Sequence, residues 1–177
     1  MSTPARHAFL RVFAVLFVSI VGFLLIEGPF RVGESHAVAA VLATAGADGT
    51  RVPYESVIEI FPADGPSLLA SITMSCSSLS SLLAIACLAF LGPDRLRRRW
   101  WSALGIALTV VALGNVLRIA LSLGAGLLAG RDALILFHDW VGGLFAFIYT
   151  LGGYILFLYI VLPRHGRPLS QSHDALA

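Results

Sequence analysis

The chain reads as an all-α integral membrane protein, with about four transmembrane helices and a small extracytoplasmic cap in a single membrane domain over residues 1–177. Three observations predict this class. Of 177 residues, 58% are hydrophobic and only 12% charged, where a soluble domain carries about a quarter charged residues. Mean hydropathy is +0.87. The apolar residues also gather into runs near the roughly 20 residues that a membrane helix needs. This composition excludes a water-soluble globule, a disordered chain and a nucleic-acid binder. The net charge of +2 is too small to argue for a polyanionic partner.

The first predicted span runs from about Ala8 to Ile26, with Arg6 and His7 before it and Arg11 in its first turn. Its basic start and apolar middle suit a signal peptide. Its length, and the Glu27-Gly28-Pro29 that follows in place of a small-residue cleavage site, favour an uncleaved anchor. Segment 27–66 is the long polar stretch and the predicted cap. It holds six acids (Glu27, Glu34, Asp48, Glu55, Glu59 and Asp64) against Arg31 and Arg51. Within it, Ser35–Thr44 suits a weakly amphipathic helix, Gly46–Gly49 carries turn chemistry, and the partial alternation in Arg51–Phe61 suits a short strand or hairpin.

The second span is expected within Ser67–Leu91, with a serine-rich first half and a stop at Gly92-Pro93. After the cluster Asp94-Arg95-Leu96-Arg97-Arg98-Arg99, the third span opens on the interfacial pair Trp100-Trp101 and reaches about Arg118. The glycine-interrupted continuation, 119–130, is expected to form a short half-helix or re-entrant piece. The last span covers about His138–Leu162, and residues 168–177 are expected to form a disordered cytoplasmic tail.

All twelve basic residues are arginine. Eight of them (Arg6, Arg11, Arg95, Arg97, Arg98, Arg99, Arg164 and Arg167) fall on one predicted side, and three (Arg31, Arg51 and Arg131) on the other. The positive-inside rule then places both termini in the cytoplasm and the acidic cap outside, in the cytoplasmic (inner) membrane.

Arg118 belongs to neither group. Ionisable residues inside a membrane are expensive and mark functional sites by default. Eighteen residues after Trp100, Arg118 lies roughly 27 Å along its helix, near the outer surface. His138-Asp139 opens the descending last span at that level, and Cys76 lies in the upper, serine-rich part of the second span. The second cysteine, Cys87, lies roughly 16 Å deeper if both share a helix, too far for a disulfide, and no zinc-type spacing occurs. A thiol that attacks a carbonyl must first become a thiolate, helped by a neighbouring base or cation. Histidine takes and returns a proton near neutral pH, and arginine suits an oxyanion or a thiolate. Cys76, Arg118 and His138 are therefore the candidate catalytic residues, for acyl transfer with no cofactor. Each also has a bland reading: a packing cysteine, a snorkelling arginine, an interfacial histidine. Asn115 reads equally as an interhelical hydrogen bonder, and Asp139 as an N-terminal helix acid.

Met74-Ser75-Cys76-Ser77-Ser78, then Asn115-Val116-Leu117-Arg118-Ile119, then His138-Asp139 resemble the exosortase/archaeosortase family of membrane transpeptidases. That family shows a Cys-Ser-Gly-like motif, an Asn-x-x-Arg motif and a later His. The match covers about residues 50–145, and the length is similar to that of its compact members. The resemblance implies a cysteine peptidase acting on secreted proteins that carry a C-terminal motif, a hydrophobic span and a basic tail. Cys76 would be the nucleophile, Arg118 the oxyanion or thiolate stabiliser, and His138 the proton shuttle. The partners implied are those secreted proteins and membrane lipid, with no nucleic acid. Ser78 stands where the family commonly has Gly, and Pro62–Thr73 is longer than usual.

The main rival is a non-catalytic multispan membrane subunit or assembly factor. A quinone-linked thiol oxidoreductase would need paired outer cysteines, a rhomboid-like serine protease a Gly-x-Ser motif, and a transporter internal repeats.

Overall fold

The computed structural model describes residues 3–47, 49–61, 67–92 and 98–162. The expected tail at 168–177 and most of the arginine cluster before Trp100 lie outside these residues.

Helix α1 spans Thr3–Thr44 without a break, 42 residues or roughly 63 Å. The expected end of the first span at Glu27-Gly28-Pro29 is corrected: the helix passes straight through Pro29. A proline removes one hydrogen bond, a loss that membrane helices tolerate when neighbours supply packing. Here the continuation is held by burial of Glu34, Ser35, Val38 and Leu42. The helix stops at Gly46, whose φ is +97°. The Gly46 N–H donates to the Ala43 carbonyl and the Ala47 N–H to the Leu42 carbonyl, the pair of bonds that closes a helix on a left-handed glycine.

The rest of the cap is an antiparallel sheet in the order β1 (Thr50–Tyr54), β2 (Val57–Ile60), β3 (Leu68–Ser71). Ile58 faces Ala70 and Ile60 faces Leu68, so one sheet face is apolar and buried. On the other face Arg51 Nε donates to Glu59 Oε2 at 3.0 Å, and its guanidinium lies over the Phe61 ring. The predicted hairpin is present. The third strand comes from residues expected to begin the second span, so the all-α expectation is corrected to a mostly helical fold with a three-stranded sheet.

The second span is corrected as well. Helix α2 covers only Leu79–Leu91, 13 residues or roughly 20 Å. Serine and threonine groups upstream bind local backbone instead of continuing the helix: the Thr73 carbonyl accepts from the Cys76 and Ser77 N–H groups, and Ser77 Oγ accepts from the Leu79 N–H. Helix α3 runs unbroken over Arg98–Ala129, so 119–130 is no separate half-helix. Its glycines are isolated within an otherwise strongly helical, packed segment. After Gly130 the chain reverses into α4 (Arg131–Leu136), a π-helical turn (Phe137–Val141) and α5 (Gly142–Val161). The last helical rod thus begins at Arg131, seven residues before the expected start. Three helices are long and apolar enough to cross a membrane, with α2 a shorter fourth, against the four expected.

Two apolar clusters form the core. One joins Ile85, Trp100, Ala107, Val111, Tyr149 and Phe157 among α2, α3 and α5. The other joins Val38, Leu42, Ile58, Ile60, Ile72, Ile119 and Leu123 among α1, the sheet and the far half of α3. Along α3 the first ends at Val111 and the second begins at Ile119, one turn on either side of Asn115. Polar side chains fill that gap.

Candidate active site

The loop Ile72–Ser78 lies between β3 and α2 and carries Cys76, 8% exposed. The thiol receives two side-chain contacts. Thr73 Oγ1 is 3.2 Å from Sγ, and His138 Nε2 is 3.0 Å from it. His138 Nδ1 is 2.8 Å from Asp139 Oδ1. A carboxylate at Nδ1 keeps the proton there, so Nε2 is free to accept from the thiol or, once charged, to donate to the thiolate. The π-helical turn sets this up: Phe137–Val141 carries both side chains, and such turns interrupt helices most often at functional sites. Burial pushes the Cys76 thiol up, but hydrogen bonds from the Thr73 hydroxyl, His138 and the Thr73 backbone outweigh it. The net shift is downward, toward thiolate.

Behind the loop is a buried polar belt centred on Glu34, which is 6% exposed. Its Oε1 accepts from the Ser78 N–H at 3.0 Å, the Ser78 hydroxyl at 2.8 Å and Asn115 Nδ2 at 2.8 Å. Asn115, fully buried, also donates to the Cys76 carbonyl at 2.9 Å and accepts from the Tyr149 hydroxyl at 3.0 Å. One carboxylate and one amide thus fix both Cys76 and Ser78, the N-cap residue of helix α2. Arg31, paired with Glu27, adds a bond to the Ile72 carbonyl at 3.2 Å. Ser78 has ordinary right-handed dihedrals (φ −77°, ψ −6°), so the position needs no glycine, and its side chain is used by Glu34.

Of the three predicted residues, Cys76 and His138 are brought into contact. Arg118 sits one turn beyond Asn115 on α3 and touches neither through a hydrogen bond among the described residues. Its Nη1 reaches Asn115 Oδ1 at 3.4 Å, while its Nε is buried without a hydrogen-bond partner there. The guanidinium lies against Gly142, one turn after His138. A Cβ at that glycine would come within 2.8 Å of Arg118 Nε and 2.9 Å of the Phe137 carbonyl. Cys87 is remote, 2.8 Å from Ser19 Oγ, and both cysteines are free. Among the described residues, no group of three or more His, Cys, Asp or Glu side chains could hold a metal ion.

Sequence reasoning left Glu34, Thr73 and Tyr149 unmarked. Thr73 and Tyr149 carry no local signal. Glu34 does: it lies four and eight residues before Val38 and Leu42, a carboxylate on the apolar stripe of its helix rather than on the solvated face.

A cleft of about 520 Å³ opens beside the thiol. Its walls include the β3 segment Leu68–Thr73 on one side and Ile119, Leu123 and Leu134 on the other, with Cys76 and His138 both on its lining. No protein-family model, curated protein or solved structure matches the chain.

Proposed function

We propose that this protein is a membrane cysteine peptidase or transpeptidase of the exosortase/archaeosortase kind. In this reading it cleaves the C-terminal sorting signal of secreted proteins on the outer side of the cytoplasmic membrane. The observation that carries the reading is the hydrogen-bonded series Asp139–His138–Cys76, with 2.8 Å and 3.0 Å links, on the wall of an open cleft. A packing cysteine needs neither a base at 3.0 Å nor an acid behind that base, whereas a nucleophile needs both.

The chemistry follows from the positions. His138 Nε2 takes the thiol proton, and the Cys76 thiolate adds to the scissile carbonyl carbon, forming the C–S bond. The resemblance gives Arg118 the stabilisation of the developing oxyanion; its guanidinium lies against Gly142, one turn after His138. The Cys76 and Ser77 N–H groups are engaged by the Thr73 carbonyl and are not donors for that role. The tetrahedral adduct collapses, the C–N bond breaks, and His138 returns its proton to the departing amine. A thioester remains on Cys76. Water or an acceptor amine, deprotonated by His138, then attacks it and releases the thiolate. The arginine distribution supports an orientation with both termini cytoplasmic and the cleft outside.

The test is processing, in cells or proteoliposomes, of a reporter from the same source ending in a motif, an apolar span and an arginine-rich tail. Wild type shortens the reporter and passes through an adduct that neutral hydroxylamine releases. Cys76→Ala and Cys76→Ser abolish both. Continued shortening by Cys76→Ala would sink the proposal and leave a non-catalytic subunit.

A further inference from the structure

The wall of the cleft is a strand edge. β3 ends the sheet and, among the described residues, pairs only with β2. The Ile72 N–H donates to the Ser56 carbonyl at 2.9 Å, and Ala70 and Leu68 sit opposite Ile58 and Ile60 in the same register. Alternate residues of an antiparallel strand bond to the same side. Ile72, Ala70 and Leu68 therefore turn their backbone groups toward β2, while Leu69 and Ser71 turn theirs away. Among the described residues, nothing bonds to those outward groups. Both side chains are exposed as well. Six consecutive residues, Leu68 to Thr73, line the cleft. A strand that lined it with one face would contribute only every second residue, so the cleft runs along the edge. Five residues after Ser71 the same wall reaches Cys76.

We infer that the substrate is bound as an added strand: an extended peptide pairs with the free edge of β3 through the N–H and carbonyl groups of Leu69 and Ser71, which carries its scissile carbonyl to Cys76. The inference rests on the proposed peptidase reading and names how the substrate is held. Donor and acceptor groups spaced two residues apart fit another extended backbone. They find no complement in an acyl chain, the other occupant an apolar cleft could take. An edge left open in this way would recruit any exposed strand. Here helix residues Ile119, Leu123 and Leu134 face that edge across the cleft, and Cys76 lies on the same lining.

The probe is a tripeptidyl chloromethyl ketone, acetyl-Ala-Val-Ala-CH2Cl, with chloroacetone, iodoacetamide and 1-chlorodecan-2-one as references. Each alkylates the thiolate by forming a C–S bond and expelling chloride or iodide. On the full-length protein in nanodiscs, the peptide reagent should label Cys76 at least roughly tenfold faster than chloroacetone, as one or two backbone hydrogen bonds would allow. N-methylation of its valine and second alanine amides should remove that advantage. Ser71→Pro deletes an outward N–H that β2 does not use, and should remove it too, with iodoacetamide labelling unchanged. Ser71→Ala should behave as wild type. If Ser71→Pro also slows iodoacetamide, it has disturbed the site, and the N-methyl reagents on wild type decide. Undiminished labelling by the N-methylated reagents, or no peptide advantage in wild type, overturns the inference. Faster labelling by the decanone than by the peptide overturns it and gives the cleft to lipid. Failure of the peptidase reading is separate, since it would appear as reporter processing by Cys76→Ala, which these labelling rates do not measure.

Discussion

At the scale of single residues, the site depends on charge placed where burial opposes it. Cys76 is buried, which by itself favours the neutral thiol, yet hydrogen bonds from Thr73 and His138 bring its ionisation below that of an ordinary thiol. These bonds favour the charged form, so deleting either must raise the pKa. Alkylation of Cys76 by iodoacetamide against pH is therefore expected to rise at lower pH than for a free cysteine. Thr73→Val and His138→Gln should each move the midpoint upward, and a profile unmoved by either would show that neither contact bears on ionisation. Glu34 matters as a hydrogen-bond acceptor. Its Oε1 holds three donors, the Ser78 N–H, the Ser78 hydroxyl and the Asn115 amide. Glu34→Leu strands all three in a dry interior at about 1–3 kcal/mol for each unsatisfied group. It should lower the melting temperature in detergent and slow Cys76 alkylation together. Glu34→Gln keeps an oxygen at that position and should recover most of both. Equal losses in the two variants would mean that the charge, and not the acceptor, is what the belt requires.

At the scale of elements, close approach of α5 to α3 sets the guanidinium against the turn that holds His138. A Cβ on Gly142 would meet the Arg118 Nε at 2.8 Å and the Phe137 carbonyl at 2.9 Å, whereas one on Gly143 would meet nothing within 4 Å. The arginine can swing aside, but the carbonyl is backbone and cannot. Gly142→Ala should thus destabilise by about 1–3 kcal/mol, as overpacking does, and impair reporter processing. Gly143→Ala should be neutral or mildly stabilising, since alanine is the better helix former. Equal melting temperatures for the two variants would contradict the packing. Elements were also where sequence reading was least reliable. Apolar run length located α3 and α5 and the end of α5 at Val161, but not the end of α3, which runs on to Ala129 because Gly124 and Gly126 carry no termination signal by themselves. Pro29 looked like an end and was not, because contacts from Val38 and Leu42 hold the helix beyond it. The hairpin was legible from alternation. β3 was not, because Leu68–Ser71 is apolar enough to extend a span and becomes a strand only by pairing with β2.

At the scale of the whole molecule, the two ends differ in kind. At one end Arg11 donates to the carbonyls of Phe90 and Gly92, and the Trp100 and Phe157 rings meet 6.1 Å apart. The start of α1, the end of α2, the start of α3 and the end of α5 are therefore together there, with Arg99 exposed at the start of α3. At the other end are the sheet and the Cys76 loop. The meeting of Cys76 with His138 at 3.0 Å was readable because helix rise converts sequence spacing into position along a rod. The Glu34–Asn115 belt joining α1 to α3 was not, because it links residues 81 positions apart. Helix α2, at 13 residues, is shorter than a hydrocarbon layer of roughly 30 Å. In the proposed reading a short α2 leaves the Cys76 loop at the outer boundary of the membrane, where irregular backbone is admitted only if protein encloses it or water reaches it. Burial of Ile72, Cys76, Ser77 and Ser78 provides that enclosure, and the cleft provides the opening. In the proposed orientation the arginine-rich end faces the cytoplasm. In a Cys76→Ala, Cys87→Ala background, a cysteine at Tyr54, exposed in β1, should react with a membrane-impermeant maleimide in intact cells. One at Arg99, exposed at the start of α3, should react only after permeabilisation. The opposite pattern would invert the molecule and turn the thiol to the cytoplasm, where no secreted protein could reach it.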